Sequence, residues 1–368
     1  MADWRGSRTG GFFCRRVSWP DFREVGPYDG MTGGALELSA LSDLKANGTL
    51  SFDGEAPEPD GMLRIYYGFT DASGEYEEAP VATMLVQAAN PTVTEGGRSG
   101  EATLSSVLKV LQDVELNAPY TVKAGEQVIA KALSLIADRG LPTNNPDPSA
   151  YAMSRDYTFA PEEANLLHIV NTLLGFAGYS SAWVDAYGVV QVTPYVEPTE
   201  REAVMRFAAG EDSVMYPEVG YESDWDSTPN VARLSYSTDA ECLVAWARNV
   251  DPAHKASLPS RGGRERTVTE VVYELAGETV EERLANLEAE AVRKIQDNSA
   301  EIEHANVACA FLPVSPNDAV EVDFGGVSWK GAAVSCRVSL ADDSDMLVRV
   351  RRFTRRALKV ESGSEVIW

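Results

Sequence analysis

The sequence predicts an α+β protein in which antiparallel β structure predominates. Apolar and polar residues alternate near both ends of the chain, and apolar residues recur at helical spacing in the middle. Turn sequences rich in glycine, proline and aspartate separate these runs. We expect an N-terminal arm (1–35), a first β module (36–118), an α+β insert (119–195), a connecting β domain with a surface helix (196–304) and a second β module with a basic C-terminal end (305–368).

The arm and the first β module differ in their patterning. Residues 1–35 are rich in glycine, arginine and aromatic residues without clear periodicity, which predicts an extended arm that becomes ordered against a neighbour. From Leu36 and Leu38 onward, apolar residues alternate with polar ones, and residues 62–69 form a run of strand-favouring side chains. The stretch 102–116 fits either a strand or a helix. We expect later strands to complete this module.

The α+β insert has the clearest local signals of the chain. Residues 127–139 have a helical apolar face, and Gly140 terminates it. Pro161 suits the first position of a second helix, because its missing N–H costs no hydrogen bond there. The apolar residues within 166–174 form one broad face of that helix, and a short hairpin follows at 183–192. We expect the two helices to pack against each other.

The second half of the chain predicts one long helix among strands. Thr279 can cap a helix that extends to about Ser299, and Glu282 completes a capping box. Extended segments are predicted at 203–207 and 214–221, and strands before the last module at 230–236, 242–247 and 268–275. The last module is predicted to be a meander of five strands at 306–312, 319–324, 327–329, 332–340 and 346–353.

The composition limits the function classes. The formal net charge is −24, from 32 basic and 56 acidic residues. This balance argues against a general nucleic-acid-binding surface, which needs basic groups to displace counterions. The sequence contains no run of about 18 apolar residues, so no membrane span is expected. The N-terminus lacks the apolar core of a signal peptide, and we expect folding in a cytoplasm.

The basic residues cluster near the two ends of the chain. They are either solvated arginines of strand edges or docking sites for acidic neighbours or further copies of the chain. The candidate interface residues are Arg349, Arg351, Arg352, Arg355, Arg356, Lys359, Arg15 and Arg16.

No residue pattern indicates catalysis, a metal or a cofactor. The four cysteines are scattered without metal-ligand spacing, and free thiols are expected, although predicted neighbouring strands leave a disulfide between Cys309 and Cys336 open. Of the three histidines, His168 lacks a second ligand one helical turn away. The chain has no nucleophile elbow, zinc-protease, phosphate-loop or dinucleotide-binding motif. We therefore expect a protein that is not an enzyme.

One short stretch resembles a carbohydrate-binding module. Residues 120–126, Tyr-Thr-Val-Lys-Ala-Gly-Glu, followed by a helix, resemble the opening of a LysM module. Such modules bind polymers of N-acetylglucosamine. The alternative is an ordinary strand–helix entry without a sugar site. The alternative function is therefore a cell-wall glycan-binding protein that acts through the 119–195 unit.

The order of the motifs carries a second, wider resemblance. The Tyr-Thr-Val-Lys-Ala-Gly-Glu entry leads to a helix ending Asp-Arg-Gly-Leu. Leu-Leu-Gly-Phe-Ala-Gly-Tyr, Trp-Val-Asp-Ala-Tyr-Gly-Val-Val-Gln-Val-Thr-Pro-Tyr and Pro-Asn-Val follow in turn. In this order the chain resembles tail-hub (baseplate-hub-like) minor tail proteins of long-tailed bacteriophages, which are similar to the trimeric hub of contractile tails. The resemblance covers 35–353 and is specific over 120–235.

This resemblance implies an architecture and a set of partners. Such hubs carry two β-barrel modules of the tail-tube type, so that three chains present six modules to a six-fold tube. The resemblance implies a homotrimer in the virion tail tip, assembled in the host cytoplasm. It also implies contacts with a tail-tube or distal tail protein, a tape-measure protein, and tip or fibre proteins, with DNA only in transit. A tail-associated hydrolase is a third, less favoured function.

Overall fold

The computed structural model describes residues 4, 6, 8–147, 149–161, 164–210, 213–223, 228–238, 240–272, 275–299, 301–341, 344–354 and 357–368. The chain forms two compact units. The first comprises Met1–Val219 and Asn306–Val350, and the second comprises Gly220–Ala305 and Arg351–Trp368.

The elements follow one another in three groups. The N-terminal strands are β1 (Arg8–Val17), β2 (Glu24–Tyr28), β3 (Met31–Ser39), β4 (Ala46–Asp53), β5 (Met62–Asp71), β6 (Tyr76–Thr94) and β7 (Gly97–Ser106). The insert contains α1 (Lys109–Gln112), β8 (Tyr120–Val122), α2 (Val128–Ala137), β9 (Tyr157–Phe159), α3 (Leu166–Phe176), β10 (Trp183–Val184) and β11 (Val190–Gln191). After a 3₁₀ turn at Pro198–Glu200 come β12 (Met205–Ala208), β13 (Met215–Ser223), β14 (Val231–Ser237), β15 (Cys242–Asn249), β16 (Thr267–Val271), α4 (Val280–Asn298), β17 (Glu301–Ala310), β18 (Ala319–Phe324), β19 (Val327–Ser339), β20 (Asp345–Thr354) and β21 (Val360–Val366).

The largest sheet confirms the predicted α+β class with predominant antiparallel β structure. Its strand order is β13-β17-β20-β19-β3-β4-β7-β6-β5-β1-β2, and β18 pairs with both β19 and β12. The sheet is strongly curved, so that strands far apart in this order come into contact. Cys14 Sγ on β1 lies 3.1 Å from Met31 Sδ on β3. The ring of Phe12 on β1 likewise lies 5.3 Å from the ring of Phe311, just after β17.

The N-terminal segment is part of this sheet. Residues 1–35 were expected to form an arm, but β1 pairs with β5 over ten residues, from Arg8↔Asp71 to Val17↔Met62. The arm prediction is wrong because the partner strand of β1 is β5, which lies far along the chain and which no local pattern within 1–35 specifies. Cys14 and Val17 are buried here although polar residues lie between them.

Strand β19 joins the two β regions of the chain. Its first half pairs with β18, from Phe324↔Val327 to Ala319↔Ala332. Its second half pairs with β3, from Ser335↔Ser39 to Ser339↔Ala35. The predicted meander is therefore wrong in two respects. Residues 327–339 form one strand where two were expected, and β17 pairs with β20 and not with β18. The predicted module 305–368 is also too long, because β21 pairs with β15 in another sheet.

The insert confirms the predicted helices and hairpin. The helices α2 and α3 pack against each other in one core cluster, which includes Ile136, Ile169 and Leu173 with no exposed surface. The start of the second helix differs from the prediction. Asn165, not a residue next to Pro161, is the N-cap, because its side chain accepts a hydrogen bond from the backbone N–H of His168 at 2.9 Å. The ambiguous stretch 102–116 contains both the end of β7 and the short helix α1.

The second compact unit consists of a four-stranded sheet and one helix. The sheet has the order β16-β14-β15-β21. The helix α4 starts with the predicted Thr279–Glu282 capping box. Its stripe of Leu287, Ala291 and Ile295 is fully buried against one face of the sheet. Of the predicted strand 268–275, the described part ends at Val271, and residues 273–274 lie outside the described residues.

The α4 stripe generates a prediction about stability. Leu287→Ala should lower the free energy of unfolding of the second unit by about 2–5 kcal/mol, because it leaves a cavity in a closed core. The matched control is Gln296→Ala on the exposed side of the same helix, with an expected change within about 0.5 kcal/mol. Urea unfolding followed by circular dichroism measures both. Equal losses for the two variants would contradict this packing.

Candidate assembly surfaces and the buried arginine junction

A buried arginine connects the N-terminal strands with the insert. Arg64 lies on β5 and is only 5% exposed. Its Nε donates to Thr83 Oγ1 at 2.9 Å, and its Nη1 donates to Glu24 Oε1 at 2.9 Å. Its Nη2 donates to two carbonyl oxygens, that of Phe22 at 3.2 Å and that of Tyr187 at 2.9 Å. The guanidinium charge is thus paired and hydrogen-bonded, as burial of a charge requires.

The insert presents a preformed turn to this arginine. Asp185 Oδ1 accepts from the backbone N–H groups of Tyr187 at 2.9 Å and Val189 at 3.0 Å. Gly188 has φ +87°, and a Cβ there would lie 2.7 Å from the ring of Phe22. Only glycine fits, since both the backbone conformation and the close approach exclude a side chain. The hairpin turn is therefore shaped to sit on the sheet.

The charge of Glu24 completes the junction. Burial by itself raises the pKa of the Glu24 carboxyl, but hydrogen bonds from Tyr66 and Arg64, with the charge of Arg15, lower that pKa below its ordinary value. The pKa of Tyr66 is raised, first by burial and then by its hydrogen bond to Glu24. The junction thus favours an ionised Glu24 beside a protonated Tyr66.

This pKa shift predicts how stability depends on pH. A carboxyl whose folded pKa is lowered contributes stability above its unfolded pKa, about 4.3 for glutamate, and that contribution is lost as the pH falls through the folded pKa. Glu24→Gln should therefore lower the Tm at neutral pH by about 2–4 °C. The difference from the native protein should shrink in acid.

The control for this variant is Glu55→Gln. Glu55 pairs with Arg16 at 2.7 Å, but its side chain is 74% exposed. Solvent screens this ion pair, so its loss should change the stability of the protein little. Thermal unfolding across the acid and neutral range compares the two variants. A Glu24→Gln deficit that stays constant into acid would show that the charge of Glu24 is not the cause.

The two candidate interface residues near the N-terminus, Arg15 and Arg16, lie on β1. Both form ion pairs with other residues of the same chain. Arg15 pairs with Glu24 at 3.3 Å and Glu78 at 2.6 Å, and its guanidinium lies 4.6 Å from the Tyr66 ring centroid. Arg16 donates to the carbonyl of Pro27 at 3.1 Å. Both side chains remain partly exposed, so a further contact with a neighbour stays a prediction.

The candidates near the C-terminus lie mainly on β20. Strand alternation places Arg349 and Arg351 on one face of β20 and Arg352 on the other, where it pairs with Glu303 at 2.7 Å. Lys359 is exposed just before β21. The remaining two candidates, Arg355 and Arg356, lie outside the described residues. The role of all these residues in an interface stays a prediction.

Sequence patterning alone did not identify Arg64 as a functional residue. It lies in the strand-favouring run 62–69, where a single arginine looks like the exposed position of an alternating strand. The arginine is buried because the insert covers that face of β5. A charged residue among strictly apolar neighbours is the one local signal that indicates a buried partner.

The described residues contain no group of three or more potential metal ligands. No helix in the described part of the chain is long and apolar enough to cross a membrane. Both ring nitrogens of the buried His254 lie within hydrogen-bonding distance of other groups of the chain. Nε2 lies 2.9 Å from the carbonyl oxygen of Ser299, and Nδ1 lies 3.1 Å from Asn249 Nδ2. It holds the loop after β15 against the end of α4.

All four cysteines are free. Burial raises the pKa of the Cys14 thiol and that of the Cys309 thiol to about 12, and it also raises the pKa of Cys336. We predict that Ellman's reagent modifies the partly exposed Cys242 first, and the other three only after unfolding. Cys242→Ser should abolish the fast phase. Fast labelling of more than one thiol in the folded protein would contradict this arrangement.

The LysM-like stretch forms a strand followed by a helix, and a further strand comes before the next helix. Residues 120–122 form β8, which pairs with β9 from Tyr120↔Phe159 to Val122↔Tyr157. The strand β9 lies between the helices α2 and α3, so the second helix does not follow the first directly. Val122 of this strand is fully buried in the insert. A glycan-binding role of the 119–195 unit stays a prediction.

Comparison with known proteins identifies the fold. No protein-family model matches the sequence, and no curated protein matches it. A tail protein from Neisseria meningitidis MC58 matches 93% of this chain and 97% of its own, with a TM-score of 0.61 and 14% identity. The 43 kDa tail protein of prophage MuSo2 from Shewanella oneidensis matches 94% of this chain and 98% of its own, with a TM-score of 0.60 and 13% identity.

A further likeness is to a chain of a PdpA–VgrG complex. A chain of a Francisella PdpA–VgrG complex matches 96% of this chain and 60% of its own, with a TM-score of 0.57 and 8% identity. At these identities the matches define the architecture. The chain therefore has the fold of phage tail proteins over nearly its whole length, as the resemblance in its sequence implied.

Proposed function

We propose that this chain is a structural tail-tip protein, a hub adaptor that joins the six-fold tail tube to a three-fold tip. The supporting observation is the end-to-end likeness to two tail proteins, which leaves almost no part of either chain unmatched. In this role the protein sits in the virion tail tip after assembly in the host cytoplasm. It is not an enzyme, since it acts through its shape and its contacts.

The fold supplies the rigidity that an adaptor needs. The strand β19 pairs with β18 and with β3, so the two β regions of the sheet are held by one continuous strand. The arginine junction at Arg64 fixes the insert to the same sheet. Hinge motion between these parts would break paired backbone and buried polar groups, which is costly.

The charge suits a conduit for DNA in transit. In the proposed trimer, three chains of charge −24 would surround a lumen whose acidic wall does not retain the passing polyanion. Screening limits this repulsion to about 8–10 Å from the wall. The proposed partners are copies of this chain, a tail-tube or distal tail protein, a tape-measure protein, and tip or fibre proteins.

The oligomeric state tests this proposal. Light scattering after size exclusion should give a mass about three times the 39.9 kDa of one chain. Low-resolution electron microscopy should show a three-fold ring, and mass spectrometry should find the chain in purified virions. A monomer that is absent from particles would overturn the proposal.

The basic residues of β20 offer a sharper version of this test. If they dock on a neighbouring copy, Arg349→Glu with Arg351→Glu should shift the trimer towards monomer, because like charges then meet across the interface. The charge-matched control is Arg293→Glu with Lys255→Glu, two exposed basic residues that do not belong to β20. A trimer that both double variants weaken equally would exclude a specific role of Arg349 and Arg351.

A further inference from the structure

The four-stranded sheet of the second unit has one covered and one open face. The helix α4 covers the side chains of Ala232, Leu234 and Ala245, which are 0–1% exposed. On the opposite face, Arg233 has a 53% exposed side chain, and Val271 is 52% exposed. Part of the opposite face is therefore exposed.

Strand register defines which side chains lie on the open face. Arg233 pairs with Trp246 and with Thr269, and Trp246 pairs with Gly363. The next row is Ser235 with Val244 and Val271. The residues on this side of the sheet form three rows: Thr267, Val231, Arg248 and Glu361; Thr269, Arg233, Trp246 and Gly363; Val271, Ser235, Val244 and Glu365. Within the first row Val231 is fully buried, so the exposed part of the face excludes it.

A shallow cavity of about 300 Å³ lies on this face beside β16. Its walls combine aliphatic groups with hydroxyls, and Arg233 brings the only cation among the lining residues. Glu270 also borders the cavity, but its carboxylate pairs with Lys294 of α4 on the covered side. The cavity therefore offers a guanidinium and hydroxyl donors between aliphatic walls.

Two guanidinium groups on the open face share one carboxylate. Arg233 Nη2 lies 3.5 Å from Glu265 Oε2, and Arg248 Nη2 lies 3.5 Å from Glu265 Oε1. Both distances are long for charge-assisted hydrogen bonds. Arg248 Nε is buried without an acceptor. The exposed Nη donors of the two arginines can therefore take another acceptor, whereas the buried Nε of Arg248 cannot be reached.

Packing holds Arg248 in place on the face. Its guanidinium lies 4.6 Å from the ring centroid of Trp246. The indole in turn lies against Gly363, where a Cβ would come within 2.8 Å of Trp246 Cζ2. A stacked arginine has already lost most of its conformational freedom, so it binds a carboxylate at a lower entropic cost.

The remaining charges restrict where an acidic ligand can lie. Glu361 and Glu365 belong to the same face but border it on β21, at the side away from β16. They would repel a carboxylate there, and a carboxylate that binds both Arg233 and Arg248 must displace Glu265 from them. The favourable path is therefore along β14, between the cavity and Arg248.

From these contacts we propose that the open face binds an extended acidic segment of a partner protein, with its carboxylates on Arg233 and Arg248. The aliphatic groups of Val244 and Val271 pack against the segment between its carboxylates. This surface is separate from the basic residues of β20 and does not depend on the trimer or on the tail-tip role.

The test uses the full-length protein and a short fluorescent peptide of alternating glutamate and threonine. We expect saturable binding that weakens as salt is added, and no binding of a peptide of alternating lysine and threonine. Arg233→Glu with Arg248→Glu should weaken binding of the acidic peptide about tenfold or more. Arg233→Lys with Arg248→Lys should weaken it less, because the charge remains.

The matched control is Arg293→Glu with Lys255→Glu, which reverses two exposed charges of the second unit outside the strands of this sheet. Lys294 is left unchanged because it pairs with Glu270 beside the cavity. This variant should bind the acidic peptide nearly as the native protein does. Circular dichroism and size exclusion confirm folding of each variant, and the lysine pair keeps the test decisive should the glutamate pair misfold. The proposal is overturned if the acidic peptide does not bind, if both glutamate pairs weaken it equally, or if free glutamate competes as well as the peptide.

Discussion

The strand β19 is the constraint on which the first unit depends. One edge of this strand carries β18 on its first half and β3 on its second half, so a single run of backbone fixes the register of two regions far apart in the sequence. Shifting β19 by one residue would turn Cys336 and Val338 from the core to the surface and misalign both partners together. Neither β region can therefore move without the other.

Apolar and polar contacts have different roles in attaching the insert. A shared core that includes Leu85, Leu108 and Leu173 makes the insert part of the same folded body as the strands. Such contacts are tolerant of small shifts. The arginine junction is directional, since Arg64 bonds to the carbonyl of Tyr187 and to Glu24 at once. It therefore selects one orientation of the hairpin turn, and Gly188 removes the side chain that would obstruct it.

Local signals predicted the insert and α4 well, and they predicted the β regions less well. Caps and helical periodicity act within a few residues, so the Thr279 capping box and the core face of α2 followed from the sequence. The helix start at Asn165 was missed because Pro161 also satisfies a local rule. The participation of β1 and the length of β19 depend on partners distant in the sequence, and no local pattern specifies those.

The sequence by itself determined the class of fold, its motif order and the absence of recognisable catalytic motifs. These properties follow from periodicity, caps, turn residues and side-chain chemistry, which are fixed residue by residue. The tertiary structure decided which polar residues form specific contacts with one another. Arg64 became a junction, Arg15 and Arg16 formed ion pairs, and Arg233 and Arg248 came together across two strands. The physical reason is that burial and charge pairing depend on neighbours brought together by the chain path, and a linear sequence does not contain those distances.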